Sequence, residues 1–175
     1  MKTPLFYFVS ALCISFLLVS TTAQAQLRPS PPALLNTNGT TDSGWDYNPQ
    51  VTTDSAGHWV AVWHSTENLG GTAGMDDDIF VSTSTDNGGT WSTQALLNTN
   101  GSTDIGNDWD PQVTTDGAGH WVAVWESREN LRLRAGVDWD IFVSTSTNNG
   151  GTWSAPALLN TNGTTDTGLD VQPQL

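Results

Sequence analysis

Along Trp59-Val60-Ala61-Val62-Trp63 the side chains are apolar at every position but differ in size from one to the next. A strand would place Trp59, Ala61 and Trp63 on one face and Val60 and Val62 on the other. Both faces are apolar, which predicts a strand buried on both sides. Ile79 to Ser84 alternates as well, with Ile79, Val81 and Thr83 opposed to Phe80, Ser82 and Ser84. Gln50 to Thr53 predicts a short strand ahead of these two. Thr90 to Ser92 begins a fourth, expected to run on toward Leu97. Asp54-Ser55-Ala56-Gly57 and Asn87-Gly88-Gly89 predict turns, because Gly and Asn accept positive φ. Glu67 to Asp77 is a longer Gly-containing loop. No stretch beyond the N-terminal segment has a convincing helical period.

The pattern then repeats. Leu34-Leu35-Asn36-Thr37-Asn38-Gly39 returns at Leu96 to Gly101 and again at Leu158 to Gly163, with an offset of 62 residues each time. The same offset carries Pro49 to Asp54 onto Pro111 to Asp116, His58 to Trp63 onto His120 to Trp125, and Asp78 to Ser84 onto Asp140 to Ser146. The units are 33–94, 95–156 and a partial 157–175 that stops at Pro173-Gln174-Leu175. Four short strands per unit, with Trp and Gly at fixed places, predict a propeller blade. A blade cannot hide both faces alone and needs a neighbour. Trp59, Trp63, Trp121 and Trp125 are the expected filler between blades. A β-sandwich and a β-solenoid are the alternatives, the solenoid disfavoured by the length of the unit. The expected fold class is therefore all-β, with blades of four antiparallel strands, about two blades plus a fragment. A closed ring of about six would need roughly 370 residues at this period. Ending inside a strand reads as a truncated reading frame, ahead of a ring assembled from several copies through open blade edges.

The first residues stand outside this pattern. Lys2 precedes an apolar run from Leu5 to Val19, and Ala23-Gln24-Ala25 has the small-x-small form of a cleavage site. Residues 1–25 read as a secretory signal peptide, followed by a short Pro-containing leader, 26–32. The run is shorter than the roughly 20 residues of a membrane span, and no later segment is apolar enough for one. The expected location is secreted, periplasmic or cell-surface. Cys13, the only cysteine, would leave with the signal, so the mature chain must be held by packing without a disulfide. The 175 residues carry 5 Lys+Arg against 18 Asp+Glu, a formal charge of -13. That excess argues against a nucleic-acid partner. Nine Trp argue against disorder.

Ser84-Thr85-Asp86-Asn87-Gly88-Gly89-Thr90-Trp91 has the form S-x-D-x-G-x-T-W, and Ser146-Thr147-Asn148-Asn149-Gly150-Gly151-Thr152-Trp153 repeats it with Asn148 for Asp. The motif resembles the Asp-box, the bacterial neuraminidase repeat of sialidase-like β-propellers. Its residues have a physical reading of their own. Asp86 is expected to accept backbone N–H groups two or three residues on. Gly88 supplies a geometry that a side chain hinders, Ser84 and Thr90 tie the two sides together, and Trp91 pins the turn to the apolar layer. The positions Ser146, Asn148, Gly150, Thr152 and Trp153 are expected to do the same in the second unit. This reading is structural rather than ligand-binding.

The resemblance also implies an enzymatic hypothesis. Sialidase-like sites hold a carboxylate with three arginines and use a Tyr nucleophile paired with Glu, and an Asp acid/base. Here Arg128, Arg132 and Arg134 crowd one loop, Arg28 lies in the leader, and Tyr47 meets Trp109 as its repeat equivalent. Glu67 and Glu129 recur as a feature of the unit. No catalytic residue is assigned. The expectation is a non-catalytic secreted or surface module that binds glycan or an extracellular protein. The alternative is a fragment of an exo-α-sialidase-like hydrolase whose site lies mostly outside this chain. Tyr47, Trp109 and Trp139 lie in or beside loops and are the candidate sugar-stacking rings, or else plugs between blades. Asp76, Asp78, Asp138 and Asp140 recur as D-x-D before the third strand and are the candidate Ca²⁺ ligands. The acids Asp42, Asp104 and Asp166, and Asp46, Asp108 and Asp170, recur beside them, and solvated turn carboxylates are the plainer account of all of these.

Overall fold

Alternation of side chains turns each repeat into an antiparallel sheet. The computed structural model describes residues 33–131, 138–163, 165 and 167–175. The signal segment, the leader, Arg132, Arg134 and Asp166 lie outside the described residues. The first sheet runs β1 (Asp46–Thr53), β2 (Trp59–Ser65), β3 (Asp78–Ser84) and β4 (Ala95–Leu96). The second runs β5 (Asp108–Thr115), β6 (Trp121–Ser127), β7 (Asp140–Ser146) and β8 (Ala157–Leu158). In both, consecutive strands are neighbours and antiparallel. No helix is present among the described residues, and so none there is long and apolar enough to cross a membrane. Two four-stranded sheets packed in series define two blades of an open, unclosed propeller-like fold.

Two strands differ from the alternation pattern for local reasons. β1 begins at Asp46, four residues earlier than Gln50. Pro49 has no N–H and interrupts the pattern, and the strand continues through a bulge. Tyr47 faces His64 while Gln50 faces Val62, so one extra residue sits between them. Asn48 there has φ of 48°, and its equivalents Asp110 and Gln172 have 51° and 55°. The fourth strand is shorter than expected, confined to Ala95–Leu96. Ahead of it, the Thr83 N–H donates to the Ser92 hydroxyl at 3.0 Å, while the Ser92 N–H reaches the Thr83 carbonyl at 2.8 Å. A side-chain oxygen has replaced part of the ladder, and Ser154 does the same for Thr145. Because β4 lies past residue 94, the blade and the repeating unit are offset in sequence.

The joint between blades is built from opposite faces of the same pattern. Val60, Val62, Ile79, Val81 and Leu97 of the first blade pack with Val113, Trp121, Ala123, Trp125 and Phe142 of the second. The valine face of β2 thus meets the tryptophan face of β6. Trp121 and Trp125 are fully buried in this layer. Trp63 instead joins Ala61, Ala73 and Phe80 in a smaller cluster within the first blade, against Leu35, Leu69, Trp91 and Leu96.

The second Asp-box turn also enters the joint. A Cβ at Gly150, where φ is +78°, would lie 2.7 Å from Val60 Cγ2 and 3.1 Å from Thr83 Cγ2. At Gly88, φ +80°, the nearest atom is 3.9 Å away. Gly88→Ala is therefore expected to cost about 1 kcal/mol from backbone conformation alone. Gly150→Ala adds a collision between blades and is expected to cost about 2–4 kcal/mol. Urea unfolding of the two variants measures the difference, and equal losses would place the second turn outside the joint.

Candidate functional site

The Asp-box turns are closed by side chains. Asp86 Oδ1 accepts the Thr90 N–H at 2.8 Å and the Ser84 hydroxyl at 2.8 Å, and Oδ2 accepts the Thr90 hydroxyl at 2.8 Å. The backbone donor lies four residues on, not two or three, because Ser84 Oγ takes the nearer Gly88 N–H at 2.9 Å. Asn148 holds the second turn through the Thr152 N–H at 2.9 Å and the Ser146 hydroxyl at 2.9 Å. Trp91 packs on the first-blade cluster and Trp153 on the joint core.

The Thr90 N–H first, then the Ser84 hydroxyl, hold the Asp86 carboxyl down to about 2 from 3.8. A carboxyl with a lowered folded pKa stabilises above its unfolded pKa, and that part is lost as pH falls through about 2. Asp86→Asn is expected to keep the turn, as Asn148 does, but to remove this contribution to the acid dependence. Thermal melts between pH 2 and 5 test it; parallel curves for the variant and the parent would sink it.

The aromatic residues singled out in the sequence come together across the joint. Trp45, Tyr47, His64, Trp109 and Trp139 form one row. Successive centroids are 6.4 Å apart for Trp45–Tyr47, 5.4 Å for Tyr47–His64, 6.4 Å for His64–Trp109 and 4.5 Å for Trp109–Trp139. Tyr47 and Trp109 stand at the inner-strand entries of successive blades, just before the bulges. His64, opposite Tyr47 on β2, bridges them. Burial lowers its pKa, which favours the neutral ring. The Arg128 guanidinium lies 5.7 Å over Trp139. The Trp109 indole N–H donates to Asp77 Oδ2 at 2.7 Å. Tyr47, Asn48, His64, Asp77, Trp109 and Asp110 line a hollow of about 290 Å³. It shares Asn48 and Asp110 with a second, polar hollow of about 360 Å³ that continues over Gln50, Gln112, Gln172 and Gln174. His64 and Trp45 were not among the sequence candidates, and Asp77 was marked only as a carboxylate between the recurring Asp76 and Asp78.

Beside this row lies an acidic joint. Asp78 opens β3, Asp108 opens β5, and Asp104 sits in the connection between the blades. One carboxylate oxygen from each lies within 4.8 Å of the others, and all three residues are buried. Asn98, fully buried, donates through Nδ2 to Asp78 Oδ1 and to Asp108 Oδ2, both at 2.7 Å, and accepts the Ile79 N–H at 3.0 Å. Burial pushes Asp78 up to about 6 and Asp104 up to about 7, and raises Asp108 well above the usual carboxylate range. Such a trio of oxygen donors could coordinate a divalent cation.

The sequence candidates Asp76, Asp78, Asp138 and Asp140 are divided by the structure. Asp78 belongs to the trio. Asp76 is half-buried beside it, its pKa raised by burial, with Oδ2 unpartnered. Asp140 is the repeat equivalent of Asp78, and Asn160 Nδ2 donates to it at 2.6 Å and to Asp170 at 2.8 Å. Asp138 is the equivalent of Asp76, and both its oxygens are buried without a partner among the described residues. Asp104 and Asp108 recur with the period, which was the available signal; their convergence on Asp78 was not.

No protein-family model matches the sequence, and no curated protein matches it at a significant level. Solved structures are similar to part of the chain at low identity. A Hadza microbial sialidase has 20% identity and a TM-score of 0.49, over 65% of this chain and 26% of its own. An α-L-arabinanase of Penicillium chrysogenum, complexed with arabinobiose, has 16% identity and a TM-score of 0.45, over 67% of this chain and 31% of its own. A family 117 glycoside hydrolase of the marine bacterium Zobellia galactanivorans has 16% identity and a TM-score of 0.44, over 66% and 39%. The chain thus matches between about a quarter and two-fifths of the length of these proteins. What the blades and turns define is a class: a partial, open, propeller-like protein with Asp-box-type turns.

Proposed function

We propose that the protein is an exported glycan-binding module, acting at the cell surface, in the periplasm or outside the cell, and that it binds without catalysis. The observation that carries this reading is the aromatic row in which Tyr47 is exposed and Trp109 and Trp139 are half-buried, with the buried His64 ring supporting them from between. Aromatic faces stack on the apolar faces of sugar rings, and neighbouring carboxylates and amides take the hydroxyls. Asn48, Asp77 and Asp110 stand where such partners are needed, in one hollow with the rings. The depth of the row fits an extended chain of sugars better than a single residue, because successive rings span both blades.

Trp109→Ala is expected to reduce retention on immobilised polysaccharide at least about tenfold, equivalent to about 1.4 kcal/mol, with an unchanged far-ultraviolet spectrum. Affinity electrophoresis through gels carrying different polysaccharides reads the loss and identifies the glycan. Unchanged retention of a folded variant would remove the proposal. Release of sialic acid from a fluorogenic substrate by the unmodified chain would replace it with the hydrolase reading.

For the acidic joint we propose Ca²⁺ as the ion. All three donors are carboxylate oxygens, a hard set that suits Ca²⁺ and gives a softer metal no sulfur or imidazole.

A further inference from the structure

We infer that a divalent cation held by Asp78, Asp104 and Asp108 staples the first blade to the second, so that occupancy of the site governs the rigidity of the joint; this rests on the Ca²⁺ reading of the same residues. The three ligands come from two pieces of chain, Asp78 in the first blade and Asp104 with Asp108 at the entry to the second. Asp78 is the first residue of β3, Asp108 is the first residue of β5, and Asp104 lies in the connection. An ion shared by them ties the outer part of one sheet to the inner strand of the next.

Charge and hydrogen bonding both leave a place for it. Asn98 and Asn100 supply the side-chain donors, with Asn100 Nδ2 reaching Asp104 Oδ2 at 2.7 Å. The Gly74 N–H donates to Asp78 Oδ2 at 3.2 Å. Asp104 Oδ1 is buried with no hydrogen-bond partner, in a residue 7% exposed; Asp108 is 2% exposed, and the Ser127 hydroxyl and Trp125 indole N–H face it without giving its Oδ1 a well-formed hydrogen bond. Buried carboxylate oxygens without donors are costly, and no Lys, Arg or His among the described residues forms an ion pair with either residue. A divalent cation would take both oxygens as ligands and offset two of the three carboxylate charges.

The repeat provides an internal control. In the first unit, Asn36 holds Asp46 at 2.8 Å and Asp42 at 3.1 Å, but no carboxylate from a preceding third strand joins them among the described residues. Asp42 is the equivalent of Asp104 without the joint.

The full chain, stripped with chelator, is titrated with CaCl₂ by calorimetry and melted with and without the ion. Binding heat in the millimolar range or below and a rise in melting temperature of about 5 °C or more are expected. Asp104→Asn should abolish both, and Asp42→Asn should keep both. Binding heat with no slowing of amide hydrogen exchange at Ile79 and Asp108 leaves the Ca²⁺ reading standing and overturns the staple. Neither heat nor shift overturns both. A shift kept by Asp104→Asn but lost in Asp42→Asn places the ion elsewhere and overturns the inference. If Asp104→Asn does not fold, Tb³⁺ added to the parent chain should show emission sensitised by Trp125 beside Asp108, and no sensitised emission overturns the site.

Discussion

Replacing Trp125 by alanine is expected to remove about 3–5 kcal/mol of stability. Domains of ordinary size have only about 5–15 kcal/mol to lose, so the variant should be largely unfolded or melt far below the parent. Trp125 is fully buried, lies on the face of β6 turned toward the first blade, and packs within the continuous layer that joins the sheets. Its removal leaves a cavity that β-strands on both sides hold open, since each is fixed by ladders to its neighbours. Trp63 occupies the same position in the first repeat but packs only in the smaller first-blade cluster. Trp63→Ala is therefore expected to cost less. Urea unfolding followed by circular dichroism compares the two. A larger loss at Trp63 would mean that the joint is not the main core.

Asn98→Ala is the second large effect, expected at about 2–4 kcal/mol in the presence of chelator. One side chain serves the Ile79 N–H, Asp78 and Asp108, and all of these lie in the joint. Alanine leaves a backbone donor and two buried carboxylates short of partners, each a cost of about 1–3 kcal/mol when unrelieved. Partial protonation of the acids moderates the sum. The repeat sets a series. Asn160 makes the equivalent bridge in a more open place and should cost less, and Asn36, whose bond to Asp46 is exposed, least of all. Chemical denaturation of the three variants measures the order, and an Asn36 effect as large as that of Asn98 contradicts it.

Local chemistry made much of the fold legible. The alternation of Trp59 to Trp63, the turn residues of Asp54 to Gly57 and the Asp-box were each readable within a few residues, because a strand or a tight turn is decided by neighbours. Pro49 hid the first half of β1, since a bulge keeps a strand going where its pattern fails. Ser92 shortened β4, because a hydroxyl can stand in for a backbone carbonyl and no propensity anticipates that. Among the site residues, Tyr47, Trp109 and Trp139 were readable as rings near loops, but not as a row, and His64 between them carried no mark. The acids at 76, 78, 138 and 140 were readable as a recurring pair, whereas the trio of Asp78, Asp104 and Asp108 was not.

The sequence alone determined the period of 62 residues, the β character of each unit and the residues that close its turns. Those properties depend on contacts within one blade or one hairpin. Only the tertiary structure decided that the valine face of β2 meets the tryptophan face of β6, that one aromatic row crosses the two blades, and that Asp78 converges on Asp104 and Asp108 of the next blade. The twist and offset of one sheet on the next set these meetings. They bring together side chains that are tens of residues apart, and no short-range pattern encodes such distances.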